Sequence, residues 1–326
     1  MTPGTSDHAF APVMVTGGSG FIGRAVLSRL RAAGVDVSCL GRRPISGFAG
    51  KFVESDLCVP ESYRGHLAGV GTVLHLAGQA PVSGQSKAQL DAAMWRINVD
   101  ATRQLALNAA DAGVRHFIYL SSISVYGSFE SGCPLDESSN VNPQSTYARS
   151  KLAAEEALRR VEKSTGMTVT IIRPPAVYGE GCTSVLARIL RAGAAGIPLP
   201  LAGFNQPCSM VSAGNLADFV VRCMARPASG GQTFVVADAE AVSIPEMIRI
   251  LARFSGNHAR LFHVPWPVML LGGALLRKRA TVVALRQSIV LDIGKARSSL
   301  DWTPPFTLND ELGKMARSFG GNAKAG

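Results

Sequence analysis

The chain has 326 residues, 47% of them hydrophobic and 17% charged, which excludes a disordered protein and allows about two domains' worth of core. Its net charge of +10 suits a polyanionic ligand, yet no nucleic-acid motif accompanies it and the Arg and Lys residues are spread along the chain, so no nucleic-acid partner is expected. The six cysteines are scattered, with neither Cys-x-x-Cys nor metal-ligand spacing, so reduced thiols, a cytoplasmic location and no metal site are expected.

Residues 1–12 read as a short tail with no signal peptide. An apolar strand at 12–16 then runs into Gly17-Gly18-Ser19-Gly20-Phe21-Ile22-Gly23 and an amphipathic helix carrying Phe21, Ile22, Val26, Leu27 and Leu30. The glycine spacing is that of a dinucleotide-binding turn. Gly17 permits the tight turn, Gly20 lets the backbone approach a pyrophosphate, and Gly23 lets the helix pack on its strand. The helix start at Phe21 and Ile22 would hold the anion with free amides and its dipole. A second strand at 35–40 ends in Gly41-Arg42-Arg43. A carboxylate at that strand end would accept hydrogen bonds from the adenosine ribose of NAD; glycine stands there instead, and two arginines that match a 2′-phosphate follow. NADP(H) is therefore expected over NAD(H), the alternative being a solvated arginine pair. Asp56 and Leu57 fall at the end of the next strand, placed to hold the adenine amino group. Leu76, Ala77 and Gly78 close a strand at 73–76, where small residues let a cofactor lie close.

Further along come a long helix at 89–112, a strand at 117–120, a helix at 144–163 and a strand at 168–172 ending in Arg173-Pro174-Pro175. Strands alternating with helices indicate an α/β fold, a doubly wound parallel sheet of the Rossmann type. Ligands in such sheets bind beyond the carboxyl ends of the strands, which adds Pro174 to the residues expected near the cofactor. Tyr147 and Lys151 lie four apart at the head of a helix and share a face. A tyrosine pKa of roughly 10 falls when a nearby lysine favours the phenolate, so the pair suits proton exchange near neutral pH. After Pro175 the regularity fades. Residues 176–207 are rich in Gly and Pro, with 197–200 reading as a loop, and helices follow at 244–256 and 266–276. The expected division is a dinucleotide-binding domain at 12–175, with 209–240 returning to it, and a smaller substrate-binding lobe built from 176–208 and 241–326. The apolar stretch 264–276 precedes Arg277-Lys278-Arg279 and is too short to span a membrane. It reads as a buried or interfacial helix, with weak peripheral membrane contact through its basic end as the alternative.

Six segments come in one order and cover more than half the chain: Thr16 to Gly23, His75-Leu76-Ala77-Gly78, Asn98-Val99, Ser121 to Gly127, Tyr147-Ala148-Arg149-Ser150-Lys151 and Arg173 to Gly179. Together they resemble the extended short-chain dehydrogenase/reductase family, which includes nucleotide-sugar epimerases, dehydratases and ketoreductases. The resemblance implies that Tyr147 is the general acid/base and that Lys151 lowers its pKa and holds the nicotinamide ribose. It implies that Ser122 hydrogen-bonds the reacting oxygen. Ser124 becomes either a second substrate contact or a strand-end hydroxyl bonded to backbone. Asn98 becomes the anchor of a backbone carbonyl, the holder of a proton-relay water, or a helix-interior amide without a chemical role.

The C-terminal run Val290 to Arg297, with Leu300-Asp301-Trp302-Thr303-Pro304-Pro305, is similar to the ending of nucleotide-sugar enzymes in polysaccharide and O-antigen pathways. It implies a ketoreductase acting on UDP-4-keto-6-deoxy-N-acetylhexosamines. Two departures matter. Pro207 and Cys208 stand where the family carries basic residues that grip the diphosphate, and a second expected arginine is out of register, with Arg286 the nearest substrate-binding candidate. Ile123-Ser124 replace the Asp-Glu pair a dehydratase needs, so dehydration is not expected. Reduction with released NADPH is expected; a UDP-sugar 4-epimerase retaining NAD is the first alternative, and a non-sugar ketone is a possible substrate. A non-catalytic NADP-binding regulator or assembly factor is the reading from another class. The resemblance also implies a homodimer through the helices at 89–112 and 144–163.

Overall fold

Every residue of β1 (Val13–Thr16) is buried, as a strand covered by helices on both faces requires. The computed structural model describes residues 12–80, 86–127, 134–275, 282–283, 285 and 288–321. β1 belongs to a seven-stranded sheet with β2 (Val37–Gly41), β3 (Lys51–Glu54), β4 (Thr72–His75), β5 (His116–Leu120), β6 (Thr168–Arg173) and β9 (Thr233–Val235). The order is β3-β2-β1-β4-β5-β6-β9, and all six pairings are parallel. The expected doubly wound Rossmann sheet is therefore present. Its order reverses between β1 and β4, and the crevice at that point is where ligands of open α/β sheets bind.

Alternate strand residues feed two cores, as the period of two dictates. Val13 and Val15 pack with Val26, Leu27 and Leu30 of α1 (Phe21–Ala32) and with Leu216, Phe219 and Val220 of α6 (Ala213–Ala225). Met14, Val73 and Tyr119 face the other way, against Leu105 of α3 (Thr102–Asp111) and Ala154 and Leu158 of α4 (Thr146–Thr165). Leu30 is fully buried, and truncating such a leucine to alanine costs about 2–5 kcal/mol.

The expected single helix at 89–112 is interrupted. α2 (Lys87–Trp95) starts on a capping box made by Ser86 and Gln89, then widens into a π-helical turn over Arg96–Ala101 before α3 begins. Such widened turns place side chains a regular helix would not, and they concentrate at functional sites. Asn98 sits in this one. α4 starts on a clean cap, the Ser145 side chain accepting from the Ala148 N–H, and stops at Gly166, which adopts the left-handed conformation.

The stretch 176–207 is more ordered than its glycines and prolines suggest. It holds β7 (Ala176–Tyr178), which pairs in parallel with β8 (Met210–Ser212), and α5 (Val185–Ala194), capped by Ser184. Apart from Gly193 in its last turn, the glycines and prolines flank α5 rather than break it. Its apolar side packs on α7 (Ile244–Phe254), on which α10 (Leu308–Gly321) packs in turn, forming a third core with Leu190, Met247, Ile248, Leu251 and Leu312. α8 (Trp266–Leu275) and α9 (Gly294–Leu300) complete the C-terminal half. None of the described helices is long and apolar enough to cross a membrane.

Candidate active site

The glycine turn is built by contacts that admit no side chain. Gly17 has φ +75°, and a Cβ there would stand 2.5 Å from the main-chain nitrogen of Ala77. The loops after β1 and β4 are thus pressed together at the switch point. A Cβ on Gly23 would lie 2.2 Å from the Gly17 carbonyl oxygen, so α1 can seat on its own turn only with glycine there. Gly20 caps α1 without a side-chain hydrogen bond, and the first turn carries no acidic residue. The amides at Phe21 and Ile22 are therefore open to an anion. Their side chains turn elsewhere: Phe21 leans on the third core and Ile22 on the core under α1. These features fit a dinucleotide pyrophosphate held by backbone alone.

At the end of β2, Arg42 and Arg43 are exposed and line a cavity of about 410 Å³ together with Ser19 of the glycine turn. Asp56 lies two residues beyond β3, and its Oδ1 accepts the Cys58 N–H at 2.9 Å. One oxygen of the carboxylate expected to meet an adenine is thus already engaged in its own turn. Leu57 leans on the core under α3, and Leu76 on the opposite core.

Gly78 connects the cofactor loop to the reactive side chains. A Cβ there would lie 3.3 Å from both Asn98 Oδ1 and Lys151 Nζ. Asn98 is buried and fully engaged: its Oδ1 accepts the Gln79 N–H (2.7 Å), while Nδ2 donates to the Gln79 carbonyl and to Ser150 Oγ, both at 3.0 Å. It ties the loop after β4 to α4.

Ser122 opens the one-turn helix Ile123–Tyr126, which is itself pinned because the Ile123 N–H donates to the carbonyl of buried Pro174 at 3.0 Å. Ser122 Oγ accepts the Ser124 N–H (3.2 Å), and the Ser122 side chain lies near enough to Tyr147 to favour its phenolate. The serine and tyrosine expected to share a reacting oxygen are thus brought to one place, 25 residues apart in sequence. Ser124 Oγ is buried and has no hydrogen-bond partner among the described residues, so the backbone-bonded alternative for it is not what the structure holds. Arg286 lies outside the described residues.

Lys151 departs from expectation. Its Nζ donates to the Leu120 carbonyl (2.7 Å) and to the Tyr119 hydroxyl (3.1 Å), and stands 4.5 Å from the Tyr119 ring centre. Burial brings the Lys151 pKa down to about 8, with the Glu155 carboxylate opposing the fall. Tyr147 is not depressed: burial pushes its phenol above the ordinary range, and only the Ser122 side chain works the other way. The phenol is a proton holder at neutral pH. Buried Tyr119, pushed well up by burial and next by Tyr147, was not singled out from the sequence, where it looks like any strand aromatic.

A second layer lies under the site. Arg173, at the end of β6, donates through Nε and Nη2 to the two oxygens of Glu155, and through Nη1 to the Tyr126 hydroxyl (2.8 Å). Ser121 donates to the same carboxylate. Glu155 is one helical turn beyond Lys151, so this buried pair anchors the helix that presents the lysine. On the other side His75, at the end of β4, bonds Thr16 and Thr102 through its two ring nitrogens (2.6 and 2.8 Å). Burial and the nearby Lys151 cation bring its pKa down to about 3, which keeps it neutral.

The family model for the NAD dependent epimerase/dehydratase family matches residues 13–237, a span that contains every contact just described apart from the third core. The chain belongs to that family. It is accordingly an enzyme by descent, and the family's nicotinamide dinucleotide is the group the glycine turn fits. Among its relatives is a UDP-glucose 4-epimerase of Vibrio cholerae, 32% identical over 94% of this chain and 95% of that protein. A ceramide reductase of Caulobacter vibrioides is 29% identical over 90% of this chain and 86% of its own. The solved structure of MoeE5 in complex with UDP-glucose and NAD superposes with a TM-score of 0.78 at 25% identity, over 96% of this chain and all of that one.

Proposed function

We propose that the protein is an NADPH-dependent ketoreductase that reduces a UDP-4-keto-6-deoxy-N-acetylhexosamine. The observation that carries the cofactor choice, and with it the direction, is the cavity that Ser19, Arg42 and Arg43 line at the end of β2, where Gly41 replaces a carboxylate. A guanidinium fork there answers a 2′-phosphate, whereas a ribose diol would meet no acceptor. When bound, the nicotinamide supplies a hydride to the ketone carbon.

The chain's own groups do the rest. Tyr147, held protonated by burial, donates its proton to the ketone oxygen, and Ser122 steadies the charge developing on that oxygen. Lys151 is a cation below about pH 8, fixed by Leu120 and Tyr119 beside Gly78, which supports a role in holding the nicotinamide ribose. Asn98 holds the loop that carries Gly78 and Gln79. The unpartnered Ser124 hydroxyl supports a substrate contact after rotation about its Cα–Cβ bond. We extend the proposal to a homodimer through α2, α3 and α4; Trp95, 42% exposed on α2, supports it.

The second reading is a UDP-sugar 4-epimerase, favoured by the identity to the Vibrio cholerae epimerase. One experiment separates them. NADPH oxidation is followed optically with the 4-keto sugar generated in situ, NADH in parallel, and UDP-glucose is incubated without added reductant. Stoichiometric oxidation preferring NADPH, lost at least about a hundredfold in Tyr147→Phe with cofactor binding intact, is expected. Interconversion of UDP-glucose and UDP-galactose with no NADPH consumed would replace the reductase reading with the epimerase one.

A further inference from the structure

α8 is the element the proposed reaction does not use. One side of it is spoken for: Trp266 and Met269 lean on the lobe core, Trp266 edge-on to Phe204 with ring centres 6.3 Å apart. The other side is apolar and uncovered. Val268, Leu271 and Leu275 are 56%, 63% and 77% exposed, and their spacing of three and four residues puts them on one helical stripe. Phe262, just before the helix, is 48% exposed.

The sequence that carries this stripe is one-sided in charge. Residues 247–291 contain seven Lys or Arg and no Asp or Glu, although the chain has 23 acidic residues in all. Arg253, Arg260 and His263 of that stretch are exposed. A second copy meeting this face symmetrically would set cations against cations, because a two-fold contact pairs a patch with itself. A neutral apolar partner would leave the cations unanswered. An anionic bilayer answers both features, with apolar side chains at the acyl boundary and arginines among the headgroups.

We propose that α8, with the segment 253–263 before it, docks on an anionic lipid surface and holds the C-terminal lobe against the membrane. This stands on surface composition alone and does not depend on the substrate reading. The test is co-sedimentation of the full chain with phosphatidylcholine vesicles containing about one quarter phosphatidylglycerol, and with phosphatidylcholine alone. Binding to the anionic vesicles at low salt, release at high salt and little binding to the zwitterionic ones are expected. Val268→Asp/Leu271→Asp should weaken binding by about tenfold or more at an unchanged thermal midpoint. If that pair of changes harms the fold, Leu275→Asp, at the most exposed position, should still weaken binding. Wild-type protein left in the supernatant at low salt would overturn the proposal, as would undiminished binding of the aspartate variants. A smaller oligomer on Val268→Asp/Leu271→Asp would overturn it in favour of a second copy. Vesicle binding needs no turnover, so a failed substrate assay leaves this result readable.

Discussion

Replacing Glu155 with glutamine tests whether the buried layer under the site does the work the geometry assigns to it. The Glu155 and Arg173 side chains are only 4% and 9% exposed, and the carboxylate receives two bonds from the guanidinium and one from Ser121. Glutamine has nearly the same shape and no charge, so Arg173 would stay buried with its charge unanswered, keeping one amide oxygen and the Tyr126 hydroxyl as acceptors and losing the other bond. Breaking a buried pair from one side costs about 3–5 kcal/mol. At about 2 °C per kcal/mol for a chain of this size, the thermal midpoint should fall on the order of 6–10 °C. A second readout follows from Lys151. Its pKa, about 8, is already lowered by burial, and the Glu155 charge opposes that fall. Without the charge the pKa drops further, so Lys151 loses its proton at lower pH. The alkaline loss of turnover, expected as pH rises through about 8 in the parent, should therefore move to lower pH. The assays are thermal melting and turnover against pH. Adding Arg173→Met removes the stranded charge and should recover part of the midpoint without restoring the pH profile. A Glu155→Gln protein melting within about 1 °C of the parent, with the same alkaline limb, would refute the coupling.

Tyr119→Phe removes one of the two oxygens that hold Lys151 and should cut turnover by about tenfold while leaving the fold intact; parental turnover and pH profile would show that Leu120 alone positions the lysine. Gly17→Ala combines an unfavourable φ with a clash on Ala77 and should weaken cofactor binding by about a hundredfold or more. Gly34→Ala, at φ +69° in open space, should leave binding unchanged, and calorimetric titration of both variants separates loop geometry from general strain. Arg42→Ala/Arg43→Ala should weaken NADPH by about tenfold or more with little change for NADH; equal losses for both cofactors would remove the 2′-phosphate assignment.

Most strands were legible because a parallel sheet buries both faces and writes apolar runs such as Val13 to Thr16 and His116 to Leu120. The helix at 89–112 was read as continuous because amphipathic spacing cannot show a widened turn; the side-chain bonds of Asn98 to Gln79 and Ser150 mark where that turn lies. α5 was missed because Gly and Pro crowd its flanks and mask a short apolar face. β9 was missed because three residues carry too little pattern, and its place depends on a pairing with β6 some sixty residues away.

Local spacing was enough to determine the glycine turn at Gly17, Gly20 and Gly23, the missing carboxylate at Gly41, and the shared face of Tyr147 and Lys151, because these depend on backbone geometry within one or two turns of chain. Only the tertiary structure decided which groups those residues meet. Lys151 is held by Tyr119 and Leu120, Asn98 by Ser150, and Arg173 by Glu155, each pair joining different elements. Burial is the reason: once the sheet and its helices exclude water, a buried polar group without a partner costs free energy, and packing rather than sequence distance selects the partner it finds.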